Sequence, residues 1–315
     1  MYEKLYTGGY GGLAGKNAYK FGAYVKLHLA LTAVVATVLL SVAVGVQAAK
    51  PLVVASINPV ALLAEELGGD DIDVLTLVPP LGSHHDYPLK PSDHKRLQSA
   101  DLVLWVGPSL ESFLEKPLAS LSPQRVMRLS AVAELHWPEV AGHSDYAESD
   151  PHFWLDISNV VVAAKAIRDR LIQLDPTKKS QIEARYQQMA ARLQKMDAAN
   201  QLAFASLSSK PFLVYHDGLA HWAAHYHLAG YGFITLTPEQ KPGAKHLLDL
   251  RKRYANSGGC VFLEPNTDPQ ATKTLAQELG MKLGILDIMG VNGVSRIDEL
   301  LAALGVAFER CLKQP

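Results

Sequence analysis

From residue 51 onward, short apolar runs alternate with stretches of mixed polarity. Residues 51–57 (PLVVASI), 73–78 (DVLTLV) and 101–106 (DLVLWV) are brief, aliphatic and rich in valine or leucine. That composition predicts strands buried on both faces of a parallel sheet. Between them, Asn58-Pro59 predicts a helix start over 58–67, which Gly68-Gly69-Asp70 stops. Pro79-Pro80 ends the second strand, and Pro91-Ser92-Asp93 opens a helix through Ala100, with serine or aspartate able to cap its exposed N–H groups. A further helix is expected near 110–118. Residues 133–151 carry no period and are rich in turn formers, which reads as a loop.

The pattern becomes helical from Ile157, breaks at Pro176 and resumes as a long amphipathic stretch over 177–207, closed by Lys210-Pro211. Its alternating charges suit an exposed helix joining two lobes. Strand-and-helix alternation then returns, with strands expected at 212–215, 233–236, 260–263 and 283–286. The fold class predicted is α/β: two lobes with parallel-type sheets flanked by helices, bridged by one long helix. The division is 1–48 as a leader, 49–176 as the N-terminal lobe, 177–209 as the bridging helix and 210–315 as the C-terminal lobe. At 315 residues the chain is long enough for each lobe to have its own core. No strong internal repeat relates the lobes. A ligand cleft is expected between them, near the carboxyl ends of strands.

The first 48 residues change the picture. Lys4, Lys16, Lys20 and Lys26 precede an almost uncharged apolar run, 27–46, that ends in the small-residue sequence Val46-Gln47-Ala48-Ala49. A basic start, an apolar core and an Ala-x-Ala-like end describe a secretory signal peptide, with cleavage expected after Ala48. The competing reading is an uncleaved anchor, since about 20 apolar residues can span a bilayer. The basic region is long and glycine-rich, and a translation start nearer Val25 would shorten it. The formal net charge of −1 gives no basic footprint for nucleic acid. Without residues 1–48 the chain carries 26 basic and 30 acidic residues, a mildly acidic balance. Cys260 and Cys311 are the only cysteines. In an exported chain an even count reads as one disulfide, against the alternative of two buried thiols.

Twelve histidines are present, and three fall where a strand or loop ends beside acidic or aromatic residues. They are His85 in Ser83-His84-His85-Asp86-Tyr87, His152 in Asp150-Pro151-His152-Phe153-Trp154, and His216 in Val214-Tyr215-His216-Asp217. Loop imidazoles from separate segments can converge on one metal ion, and imidazole suits zinc. Asp86, Asp156 and Asp217 are the neighbouring carboxylates expected to orient the rings. The residues by themselves leave two readings open, a metal site or three hydrogen-bonded core histidines. His221 and His225, four apart on a helix (HWAAHYH), could also chelate, but no glutamate lies between them as in zinc proteases; they read as surface or packing residues. His136 and His143 lie in the loop and offer at most transient contacts.

Taken together, GSHHDYPLKPSD, DPHFWLD and VYHDGLAHW resemble the periplasmic zinc-binding proteins of ABC importers, the ZnuA family, and the similarity continues through KPGAKHLLDLR, CVFLEPN and LDIMG. The resemblance implies metal ligation by His85, His152 and His216, two α/β lobes on a rigid bridging helix, and a disulfide between Cys260 and Cys311. It also implies Zn2+ as the bound ion, a periplasmic location reached through a cleavable signal peptide, and a membrane permease of an ABC zinc importer as partner. Some relatives place glutamate before the first histidine as a fourth ligand, where this chain has His84. Related manganese binders use a carboxylate matching Asp287. The fourth position is therefore Asp287, water or His84, with His84 ranked last.

Three imidazoles favour zinc, whereas manganese prefers oxygen donors. Because the rings must be neutral to bind, affinity should fall as pH drops through about 6.5. The expected role is a monomeric binding protein without enzymatic activity or nucleic-acid partner. The alternatives are a manganese-binding protein of the same fold and, more remotely, a three-histidine zinc hydrolase, for which Asp287 would be the candidate base.

Overall fold

A computed structural model describes residues 49–138, 150–265, 267 and 269–314. The expected signal peptide, its cleavage point and His143 lie outside the described residues. Among those described, no helix is long and apolar enough to cross a membrane.

Leu52–Ala55 (β1), Asp73–Thr76 (β2), Leu102–Trp105 (β3) and Val126–Arg128 (β4) form one parallel sheet in the order β2-β1-β3-β4. Phe212–His216 (β5), Tyr231–Thr235 (β6), Cys260–Leu263 (β7) and Lys282–Ile285 (β8) form a second, in the order β6-β5-β7-β8. Each sheet therefore changes winding direction beside its first strand. That leaves a crevice at the carboxyl ends of β1 and β3 in one sheet and of β5 and β7 in the other.

Nine α-helices complete the described chain. Asn58–Gly68 (α1), Pro91–Ser99 (α2) and Glu115–Ala119 (α3) accompany the first sheet, and Ile157–Leu174 (α4) follows a 3-10 turn at Phe153–Leu155. Lys179–Phe204 (α5) is the bridge, and Ala220–His225 (α6), Ala244–Tyr254 (α7), Pro269–Leu279 (α8) and Ile297–Leu312 (α9) belong to the second half. The expected helix near 110–118 is a 3-10 turn, Ser112–Leu114, running into the short α3. Strand β4 was not anticipated. At three residues, with a charged end and intermediate burial, it carries almost no periodic signal.

Alternate residues of each central strand serve different cores, as strand geometry requires. Val53, Ala55, Leu102 and Leu104 face inward, while Val54, Val103 and Trp105 face an outer cluster with Leu97 and Leu118. In the second sheet Phe212, Val214, Cys260 and Phe262 face inward, and Leu213, Val261 and Ile234 face outward against Leu250 and Leu279. The two inward faces belong to one continuous core rather than to two separate ones. This departs from the expectation of a core for each lobe. The reason is α5: Ile182, Tyr186, Met189 and Leu193 make a buried stripe on a helix about 39 Å long, and that stripe joins the cores. Arg192 on α5 pairs with Glu66 of α1 and with Asp298 of α9 at 3.4 Å, so one side chain touches both halves.

Further ties cross between the halves near the crevice. The Trp154 indole donates to the Ile288 carbonyl at 2.9 Å, and the Asn58 amide donates to the Met289 carbonyl at 2.8 Å. His225 on α6 pairs with Asp156 at 3.0 Å and with Asp197 of α5 at 2.7 Å. Burial opposes its charged form, but the two carboxylates outweigh burial and raise it to about 9.

The Cys260–Cys311 disulfide joins β7 to α9 across a sequence separation of 51. By chain entropy a cross-link of that span contributes about 4 kcal/mol. Replacing both cysteines by alanine should lower the melting temperature by roughly 8–16 °C in scanning calorimetry. A change within a degree or two would show that α9 is held by packing alone.

Candidate metal centre

His84 and His85 lie in the loop that leaves β2. Ser83 shapes this loop: its hydroxyl accepts from the backbone N–H of His85 at 3.2 Å and of Asp86 at 2.9 Å, and donates to Glu239 from the other half. His152 immediately precedes a 3-10 turn, Phe153–Leu155, whose three side chains are fully buried and anchor it. His216 is the last residue of β5, at the winding reversal of the second sheet. These four histidines offer ring nitrogens that all lie within 4.8 Å of one another. Three of the rings are buried and His85 is partly so.

The spacing bears on the chemistry. His84 Nε2 and His216 Nε2 each stand 3.3 Å from His152 Nε2. Tetrahedral zinc with bonds of 2.0–2.1 Å requires ligand atoms about 3.3–3.4 Å apart. His85 Nε2 and His84 Nδ1 are buried without a hydrogen-bond partner, which is costly for a polar atom unless a ligand satisfies it. The donor set and the orphaned nitrogen of His85 therefore fit a metal ion.

Two of the rings are locked by carboxylates. Asp150 Oδ1 accepts from His152 Nδ1 at 2.6 Å and from the His152 backbone N–H at 3.0 Å. Glu264, immediately after β7, accepts from His216 Nδ1. With Nδ1 carrying the proton, Nε2 of each ring presents its lone pair to the cluster. Asp150 is held in turn by His221, whose backbone N–H donates to Oδ2 at 3.3 Å and whose Nε2–H donates to the Asp150 carbonyl at 3.0 Å. The Asn159 amide donates to His221 Nδ1 at 3.3 Å, which fixes that tautomer.

Electrostatics follow from burial. Desolvation drives His84 well below the ordinary imidazole range, helped by His85, His152 and His216. His85 is pushed down to about 2 by desolvation and then by His152 and His216. Desolvation also lowers His152, against the pull of Asp150. His216 moves the other way: burial opposes its charge, but Glu264 outweighs burial and raises it. Asp150 stays ionised, because His152 and its hydrogen bonds overcome the desolvation that would raise it.

The orienting carboxylates differ from those expected. Asp86 is exposed. Asp156 caps α4 through the Ser158 N–H at 2.8 Å and pairs with His225, while Asp217 accepts from the Tyr231 hydroxyl. Asp287 is occupied by its own turn, accepting from the backbone N–H groups of Val291 and Asn292 at 3.1 Å each and from the Asn292 amide at 2.9 Å. It is not among the residues whose ligand atoms converge. His221 and His225 also lie outside that group, and both are tied into the frame rather than the surface.

The comparisons decide the family. The model of ZnuA, the periplasmic component A of the zinc-uptake complex, matches residues 53–301. The chain belongs to the ZnuA family. It is 30% identical over 293 residues to the high-affinity zinc uptake system protein ZnuA of Yersinia pestis, covering 84% of this chain and 92% of the relative. The ZnuA of Haemophilus ducreyi is 29% identical over 291 residues, covering 83% and 93%. Among solved structures, the periplasmic zinc-binding protein TroA of Treponema pallidum superposes with a TM-score of 0.76 at 21% identity, covering 84% of this chain and all of that one. A zinc-bound ZnuA deletion mutant superposes with a TM-score of 0.69 at 25% identity, with the same coverage. The ZnuA-family fold expected from the motifs is thus the fold observed.

Gly218 shows how little room the cluster has. A Cβ there would lie 2.5 Å from His216 Nε2 and 3.1 Å from His152 Cε1. Gly218→Ala should leave the protein folded by circular dichroism but weaken zinc binding by about 10-fold or more, the scale of losing ligand orientation. Unchanged affinity would mean that the two rings have freedom the structure does not show.

Proposed function

We propose that this chain is a periplasmic zinc-binding protein that captures Zn2+ on His84, His85, His152 and His216 and delivers it to the membrane permease of an ABC importer. The observation that carries this reading is the convergence of four ring nitrogens at spacings compatible with one tetrahedral ion. Family membership and the zinc uptake function named for its relatives support the cargo and the location. Export through cleavage after Ala48 rests on the basic, apolar and small-residue sequence of residues 1–48.

For the fourth position the geometry favours His84 over Asp287, whose carboxylate is already spent on four hydrogen-bond donors of its own turn. An all-imidazole set favours zinc over manganese, which seeks oxygen donors. Four protein ligands also leave no open coordination position for a reacting water, and that favours binding over hydrolysis. In this reading the 49–176 and 210–315 segments act as lobes on either side of the cluster, with 177–209 as the bridge.

Chelator-competition titrations of single alanine variants test the assignment. His85→Ala, His152→Ala, His216→Ala and His84→Ala should each weaken zinc binding by more than about 100-fold, beyond the usual effect of an outer partner. Asp287→Ala should change it less than about 3-fold, as a group outside the coordination sphere would. Retained affinity in His84→Ala together with a large loss in Asp287→Ala would reverse the choice of fourth ligand.

A further inference from the structure

Two carboxylates behind the imidazoles form a distinctive arrangement. Asp150 is 5% exposed and Glu264 9% exposed. Each accepts from the Nδ1 of one ligand histidine, and their remaining described partners are backbone N–H groups or nothing charged. Among the described residues neither is paired with a lysine or arginine. The site thus holds two negative charges that no fixed cation balances. Buried charge without a counter-charge is strongly disfavoured. The four ligands cannot supply that counter-charge, because an imidazole must be neutral to coordinate.

The bound ion itself completes the balance. A divalent ion on four neutral rings brings the group of ion, rings and two carboxylates to zero net charge. A monovalent ion leaves one negative charge buried and uncompensated. Imidazole nitrogen does not by itself exclude soft monovalent ions, since ligand type and geometry discriminate among metals only in part. We infer that Asp150 and Glu264 are specificity-determining positioning residues, which set ring orientation and match the site to the charge of a divalent cation. This rests on the reading of His84, His85, His152 and His216 as the metal site.

The test compares Zn2+ with Ag+, a redox-stable monovalent ion that binds imidazole, by chelator competition on the full exported chain. Asp150→Asn and Glu264→Gln keep the shape and a hydrogen-bond acceptor while removing the charge. Each should weaken Zn2+ binding by about 10–100-fold and Ag+ binding by clearly less, since a monovalent ion loses about half the attraction, so that the Zn2+/Ag+ preference narrows by about 3–10-fold. Asp150→Glu keeps the charge with altered reach, and should preserve the wild-type preference even if both affinities fall. Equal proportional losses for the two ions in both neutral variants would reduce the carboxylates to simple orienting groups and overturn the inference. So would unchanged zinc affinity. Wild-type protein that binds neither ion would sink the metal-site reading and this inference together, whereas wild type that binds zinc with variants of unaltered preference sinks the inference alone.

Discussion

Four imidazoles packed within a few ångströms of one another are an unfavourable arrangement unless their ring nitrogens are aimed and their charge is controlled. Here the aiming is done by hydrogen bonds from two ring Nδ1–H groups to Asp150 and Glu264. Burial does the rest, keeping three of the four rings neutral and their lone pairs available. Remove the carboxylates and Nε2 no longer has a preferred direction. Remove the burial and the rings are protonated and hydrated. Both conditions depend on loops delivered to one point by separate parts of the fold.

That delivery explains the architecture. The winding reversal of the second sheet puts the end of β5, with His216, beside the end of β7, with Glu264. The loop after β2 brings His84 and His85, and the buried Phe153–Leu155 turn brings His152 with Trp154 anchored on the Ile288 carbonyl. Helix α5 then holds the two sheets at a fixed separation by contributing its buried stripe to a core they share. A continuous core resists independent movement of the two halves, because close-packed interiors do not deform smoothly. Release of a bound ion is therefore expected to involve the ligand loops, such as the Ser83–Glu239 contact beside His84, before any wholesale separation of the sheets.

Much of this was legible in the sequence because it depends on local pattern. Seven of the strands overlap the apolar runs expected as strands, with β6 starting two residues earlier, at Tyr231, and the α5 stripe follows from spacing along one helix. The three histidines at segment ends were visible for the same reason, and the motifs around them resemble the family that the chain belongs to. What sequence did not disclose is long-range. Glu264 is 48 residues from His216 and meets it only because β5 and β7 are neighbours in the sheet. Asp150 is only two residues from His152, yet a proline stands between them, and nothing local says that the turn folds the carboxylate back onto the ring. The hydrogen bonds that Asp287 accepts from the Val291 and Asn292 amides likewise depend on a particular turn that residue order does not show. That the Ser83-centred turn brings the two adjacent rings of His84 and His85 to one point is likewise invisible in residue order.

The most direct measurement of the four-histidine centre is the zinc K-edge X-ray absorption spectrum of the protein loaded with one equivalent of Zn2+. Ligation by His84, His85, His152 and His216 gives a single shell of four nitrogens at about 2.0–2.1 Å, with the outer-shell scattering pattern of four imidazole rings. A shell containing carboxylate or water oxygen with three or fewer imidazoles would contradict the four-histidine centre.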